Sequence, residues 1–139
     1  MTAEQDAADQ EQAKHKSKTI VLVEDHPPIA SLISSFIHLA TSYEVQAFSD
    51  GQEVLQHLDD LRKEQPALVL LDYHLPTMTG LQLYDHLQHI EGIGQIPALV
   101  ITAETSPQIE KELAQRHLGV LYKPFTLKEF LAALTPLLS

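Results

Sequence analysis

No cysteine occurs in the 139 residues, which excludes disulfide staples, zinc–thiolate sites and cysteine nucleophiles and suits a reducing compartment. No run approaches the roughly 18 uninterrupted apolar residues that a membrane span needs. Residues Met1 to Ser17 are polar and acidic, unlike a signal peptide, so a cytoplasmic protein with no membrane partner is expected. Positive charge is scarce: 9 Lys and Arg against 19 Asp and Glu leave a formal net charge of −10. That balance argues against direct nucleic-acid binding, because such affinity comes from a basic face that neutralises phosphates. Only 5 glycines are present, and they form neither a P-loop nor the three-glycine dinucleotide fingerprint, so a nucleotide site is excluded. What remains is 44% hydrophobic and 20% charged, the composition of one ordinary globular domain with protein partners.

Residues 1–17 lack large apolar side chains and cannot offset their ordering entropy, so they read as a flexible acidic N-terminal tail ahead of a domain at 18–139. From there, apolar runs alternate with segments of helical period. Thr19–Val23, Glu44–Phe48, Ala67–Leu71, Ala98–Ile101 and Val120–Tyr122 are the predicted strands. Such alternation implies right-handed βαβ units and a mostly parallel sheet. Continuous apolarity marks central strands buried on both faces, whereas the alternating Glu44-Val45-Gln46-Ala47-Phe48 reads as an edge strand.

The first predicted helix carries the stripe Ile29, Leu32, Ile33, Phe36, Ile37 and Ala40, with Pro28 tolerated in its first turn. Asp50-Gly51 opens a second bearing Val54, Leu55, Leu58 and Leu61, and Gly80 precedes a third with Leu83, Tyr84, Leu87 and Ile90. After Ser106-Pro107 a fourth has only Ile109, Leu113 and Leu118 as large anchors, which makes it the natural mobile element. Thr126 and Glu129 form a capping box for the last helix, with Leu127, Phe130, Leu131, Leu134 and Leu138 inward and Pro136 loosening its final turn.

Four of the apolar runs end on residues that handle phosphate or a divalent cation: Glu24-Asp25, Asp72, Thr102 and Lys123. Ligands of open parallel sheets bind outside the carboxyl ends of the strands, so these residues converge on one crevice. Three carboxylates from neighbouring strands would repel by roughly 4 kcal/mol per pair at ~4 Å and an effective dielectric of ~20. A hard cation such as Mg²⁺ relieves that. Lys123 offers a point charge to a phosphoryl oxygen and Thr102 a hydrogen bond. Asp72 is the candidate nucleophile, since a carboxylate accepts a phosphoryl group while cations neutralise the developing charge. No residue is evidently placed to activate water quickly, which suits holding phosphate over rapid turnover.

Val-Glu-Asp at 23–25, Leu-Leu-Asp-Tyr-His-Leu-Pro-Thr-Met-Thr-Gly at 70–80, Ile-Thr-Ala at 101–103 and Tyr-Lys-Pro-Phe at 122–125 resemble the receiver domain of two-component response regulators, the CheY-like superfamily. The resemblance runs from about Lys18 to the end. It implies an α/β, flavodoxin-like, doubly wound five-stranded sheet in order 2-1-3-4-5 with helices on both faces. It implies phosphoryl transfer to Asp72 from the phosphohistidine of a sensor histidine kinase or histidine phosphotransfer protein. It further implies Mg²⁺ held by Asp25, Asp72 and the backbone carbonyl of His74, with Glu24 acting partly through water. Thr102 and Lys123 would contact the phosphoryl group. One position departs: family members usually carry Tyr or Phe three residues before the lysine, and this chain has Val120. Tyr122, two residues along the same strand, is a candidate substitute. The output surface is expected around the fourth helix, fifth strand and fifth helix.

Taken singly, each residue has a plainer reading: Glu24-Asp25 a solvated loop, Asp72 a turn residue, Thr102 a strand-end hydroxyl, Lys123 a surface charge. Their order and company favour the site. His86 and His89, at i, i+3 spacing, suggest a transition-metal pair but lack a third ligand in register. His74 and Glu104, two residues after Asp72 and Thr102, are expected to set the lifetime of the acyl phosphate. The leading expectation is a stand-alone, phosphorylation-activated signalling switch that is not a turnover enzyme and binds an unknown downstream protein. Homodimerisation through the last helices stays open. A degenerate, phosphorylation-independent receiver is the alternative. A Mg²⁺-dependent phosphatase of the haloacid-dehalogenase kind is a further one, though that family needs a second Asp where this chain has His74.

Overall fold

The computed structural model of the chain describes residues 17–138. Strands β1 (Thr19–Val23), β2 (Glu44–Phe48), β3 (Leu68–Asp72), β4 (Ala98–Thr102) and β5 (Gly119–Tyr122) alternate with six helices. These are α1 (Pro27–Ala40), α2 (Gly51–Leu55), α3 (Leu58–Glu64), α4 (Gly80–Gln88), α5 (Pro107–Gln115) and α6 (Leu127–Leu138). The sheet is all parallel in order β2-β1-β3-β4-β5, and β2 takes the edge that its alternating pattern predicts. Of the expected tail, residues 1–16 lie outside the described residues, as does Ser139. Ser17 is described, and its backbone N–H donates to the Gln65 carbonyl at 2.9 Å.

Because side chains alternate across a strand, the buried runs feed both faces of the sheet. Ile20, Leu22, Leu68, Leu70, Leu99, Ile101 and Leu121 face α1 and α6, where they meet Ile33, Ile37, Phe130 and Leu134. Phe36, Phe125 and Phe130 form a triangle of rings, with the Phe130 centroid 5.7 Å from each of the others and those two 6.2 Å apart. Val21, Val23, Val69 and Leu71 face the other way, against Val54, Leu61, Leu83 and Leu87 of α2, α3 and α4. Beyond them, α5 has a small cluster of its own, in which Ile109 and Leu113 pack on Leu81 and Val100. Its buried apolar anchors are Ile109 and Leu113, against Leu81, Leu83 and Leu87 for α4.

Several sequence expectations need correction. Leu32 of the α1 stripe is 42% exposed and Leu127 of the α6 stripe 37%, and Ala40 is also exposed, because only the stripe centred on Ile33 and Ile37 reaches the sheet. The second predicted helix is split into α2 and α3. In a continuous helix the His57 N–H would donate to the Glu53 carbonyl. Here it donates to Val54 O at 2.9 Å, and the imidazole Nδ1, 2.8 Å away, takes over the Glu53 carbonyl. Ile90 and Leu118 lie beyond the ends of α4 and α5 yet still pack on the core. Pro136 stands inside α6, which continues to Leu138; the Thr126–Glu129 capping box is formed, with both bonds at 3.0–3.1 Å.

Candidate functional site

Parallel register brings the strand ends level: Val23 pairs with Leu71, Asp72 with Ile101 and Thr102 with Tyr122. Glu24 prolongs the β1–β2 ladder by donating its N–H to Phe48 O at 3.0 Å. Its carboxylate then lies over the end of β3. One oxygen each from Glu24, Asp25 and Asp72 lies within 4.8 Å of the others, the only group of three or more such ligands found among the described residues. Glu24 and Asp72 are buried and Asp25 is exposed. The trio suits a hard divalent cation: its donors are all oxygen, two of them are desolvated, and one side is open to water.

Lys123 follows β5 and donates its backbone N–H to Thr102 O at 2.9 Å. Its Nζ donates to Glu24 Oε1 at 2.7 Å and to Asp72 Oδ2 at 3.3 Å. Burial and the neighbouring Asp72 push the Glu24 carboxyl above its ordinary value, and Lys123 pulls against them. Burial disfavours the Lys123 ammonium, but its bond to Glu24 and the nearby Asp72 charge outweigh that and raise its pKa. One ammonium therefore meets two of the three clustered carboxylates, and a net negative charge remains to be neutralised.

Thr102 is fully buried, and its hydroxyl is turned to the next loop: it accepts from Glu104 N at 3.1 Å and lies 3.5 Å from Glu104 O. The His74 ring meets the Glu104 carboxylate at 2.6 Å, both exposed at the mouth. The His74 N–H points back to Asp72 Oδ1 at 3.4 Å. Behind Asp72, Gly80 is required by close approach, since a Cβ there would stand 2.3 Å from Asp72 O. The intervening loop is tied down by Thr77, whose hydroxyl lies 2.7 and 2.9 Å from the two Asp50 carboxylate oxygens. That bond lowers the Asp50 pKa, so Asp50 serves the site loop and does not cap α2, which it precedes. An apolar cleft of about 320 Å³, lined by Ile29, Leu32, Ala103, Pro124 and Phe125, adjoins Lys123.

The His86–His89 pair lines a separate shallow cleft of about 270 Å³ with Gln82 and Asp85, where Asp85 is occupied by a bidentate Arg116 at 2.8 Å. No metal-ligand trio forms there among the described residues. Tyr73, inside the 70–80 motif, has no role that its sequence position reveals. In the structure its hydroxyl donates to Glu112 Oε2 at 3.3 Å, and burial and Glu112 raise its pKa. No periodicity could have revealed a contact between a loop residue and a helix 39 positions on.

A model of the response regulator receiver domain matches residues 20–135. The chain belongs to the response regulator receiver domain family. The receiver domain is 33% identical over 122 residues to the DNA-binding dual master transcriptional regulator RpaA of Synechocystis, covering 86% of this chain and 48% of that protein. The chain thus spans about half the length, or far less, of several curated relatives it matches. Among solved structures, the chemotaxis protein CheY4 of Vibrio cholerae is 27% identical with a TM-score of 0.76, covering 88% of this chain and 99% of that one. The receiver domain of the sensor histidine kinase PA1611 of Pseudomonas aeruginosa, solved with a magnesium ion in its active-site cleft, shares the fold at 23% identity. Its TM-score is 0.74, with 88% of this chain and 98% of that one covered. Membership places the chain in two-component signalling. No helix among its described residues is long and apolar enough to cross a membrane.

Proposed function

We propose that this receiver domain is a cytoplasmic switch set by phosphorylation of Asp72. The observation that carries the reading is the juxtaposition of a strand-end carboxylate with two further carboxylates and one buried ammonium. An Asp72 oxygen attacks the phosphorus of a donor phosphohistidine, carried by a sensor kinase or a phosphotransfer protein. An O–P bond forms, the P–N bond breaks, and the imidazole leaves with the bonding pair and takes up a proton. Asp25, Asp72 and the His74 carbonyl would hold Mg²⁺, with Glu24 partly through water. The cation, when bound, supplies charge neutralisation for the phosphoryl oxygens.

This chain's own residues do the rest. Lys123 gives up part of its bond to Asp72 for a phosphoryl oxygen, and Thr102 exchanges its Glu104 backbone bond for another. His74 and Glu104 screen the mouth from water and set the lifetime. The apolar cleft beside Lys123 supports close approach of a protein donor with an apolar rim. The surface of α5, β5 and α6 reads the result out to a downstream protein. Its population of conformers shifts by as much as that partner and the phosphate favour one of them.

The test is intact mass after incubation with Mg²⁺ and acetyl phosphate. Wild type should gain one phosphoryl group and Asp72→Asn none. No gain by wild type, also with a candidate kinase, would make the chain a phosphorylation-independent interaction module. Sustained release of phosphate over many turnovers would favour a phosphatase.

A further inference from the structure

Helix α5 buries little, with Ile109 and Leu113 in a small cluster. Beside that apolar packing, a polar path ties it back to the acceptor. Tyr73 is the residue after Asp72. Its N–H donates to Ile101 O at 2.9 Å and its carbonyl accepts from Gly80 N at 2.7 Å, so its main chain is fixed between β4 and α4. Its half-buried side chain, like Leu118 and Val120, packs against the cluster of Leu81, Val100, Ile109 and Leu113. The ring stands edge-on to the His74 imidazole, with centroids 4.8 Å apart, and its hydroxyl reaches Glu112 on α5. From Glu112 the chain of bonds continues: its carbonyl accepts from Arg116 Nη1 at 2.8 Å, and Arg116 grips Asp85 of α4.

We propose that Tyr73 couples the state of Asp72 to α5, its hydroxyl holding Glu112 in the unphosphorylated domain and releasing it when Asp72 carries phosphate. This rests on the phosphorylation reading above. A phosphoryl group on Asp72 brings new negative charge into a cluster where Lys123, Thr102 and the His74–Glu104 pair must all rearrange. The Tyr73 main chain stays fixed, but its ring abuts the His74 imidazole and is displaced when that ring moves. The Tyr73–Glu112 bond, at 3.3 Å and only part-buried, is the weak joint in the path. A helix with so small a buried anchor responds to the loss of one such bond. Val120, on β5, lies against the same cluster and is too short to span this distance; the aromatic link comes from β3's side of the sheet.

The experiment is hydrogen–deuterium exchange of the full chain over residues 107–118, with and without acetyl phosphate and Mg²⁺, alongside intact mass of the same samples. In wild type, phosphorylation should speed exchange about fivefold, the equilibrium worth of one hydrogen bond. Tyr73→Phe should exchange at the fast rate before phosphorylation and change little after it. Glu112→Ala should do the same, and the double variant should be no worse than either single, because both remove one interaction. Tyr122→Phe should keep the wild-type response. A tyrosine that merely filled space would lose nothing to Phe, which keeps the ring, so both rates and their ratio would stay at the wild-type values. A wild-type ratio in Tyr73→Phe, with its mass showing phosphate on Asp72, would overturn the coupling and leave the phosphorylation reading intact. Absence of phosphate on the wild type would overturn both.

Discussion

Replacing Lys123 by Met should destabilise the domain by about 3 kcal/mol at neutral pH without Mg²⁺, and the loss should shrink in acid. Lys123 Nζ stands 2.7 Å from Glu24 and 3.3 Å from Asp72. At an effective dielectric of about 20, those separations correspond to gross attractions of roughly 6 and 5 kcal/mol. Desolvation of all three groups offsets most of this, and removing one partner of a buried pair typically costs about 3–5 kcal/mol. The lysine side chain is 18% exposed against 1% for Glu24 and 9% for Asp72, so the lower end of that range applies. For a domain of this size the change corresponds to a fall of about 10 °C in Tm. Met retains most of the apolar stem, so the charge is what the substitution removes.

The pH dependence follows from the direction of the Glu24 shift. Burial already holds its pKa above 4.5, and Lys123 is what pulls it down. Without the lysine, the folded-state pKa rises further. A carboxyl with a raised folded pKa favours folding below its unfolded value, and that contribution is lost as pH rises through the folded pKa. The gap between variant and wild type should therefore narrow as pH is lowered from neutrality toward 4.5. Added Mg²⁺ should narrow it at neutral pH by supplying charge to the same carboxylates. Thermal and urea denaturation of both proteins across pH, with and without Mg²⁺, decides the matter. A gap that is constant in pH and indifferent to Mg²⁺ would refute the electrostatic reasoning.

Gly80→Ala places a Cβ 2.3 Å from Asp72 O, so overpacking should cost about 1–3 kcal/mol and slow labelling of Asp72 by acetyl phosphate; a wild-type melt and labelling rate would contradict this. Phe130→Ala, at a fully buried position against Phe36 and Phe125, should cost about 3–5 kcal/mol in urea denaturation while leaving Asp72 reactive in the remaining folded protein. Arg116→Ala removes the bidentate bond to the half-exposed Asp85, worth only about 0.5–1 kcal/mol after solvent screening. Arg116 lowers the Asp85 pKa, so that contribution is present above the ordinary 3.8 and lost as pH falls through the folded value. Denaturation at neutral and acid pH, in low and high salt, checks it.

The sheet was legible because its signals are local and redundant. Three apolar runs too short for buried helices read as strands buried on both faces, and Glu44–Phe48 alternates as an edge strand does. The convergence of Glu24, Asp25, Asp72, Thr102 and Lys123 at one edge was legible for the same reason, since a parallel sheet aligns the strand ends whatever the loops do. The break between α2 and α3 was not, because the apolar period runs on through Leu58 and Leu61 while the His57 imidazole competes for a backbone carbonyl. Nor were the exposures of Leu32 and Leu127, because a stripe can be wider than the surface that the sheet offers it.

The amino-acid order alone determined a parallel α/β domain with Glu24, Asp25, Asp72, Thr102 and Lys123 at the carboxyl ends of its strands, because strand burial and the position of each run's last residue are properties of neighbours in sequence. Tertiary structure decided which bonds those residues make. It set Lys123 on Glu24 at 2.7 Å, turned Thr102 to the Glu104 backbone, gave Asp50 to Thr77 and carried the Tyr73 hydroxyl to Glu112. Each of these joins side chains from different elements, and only the packing of helices on the sheet sets such distances.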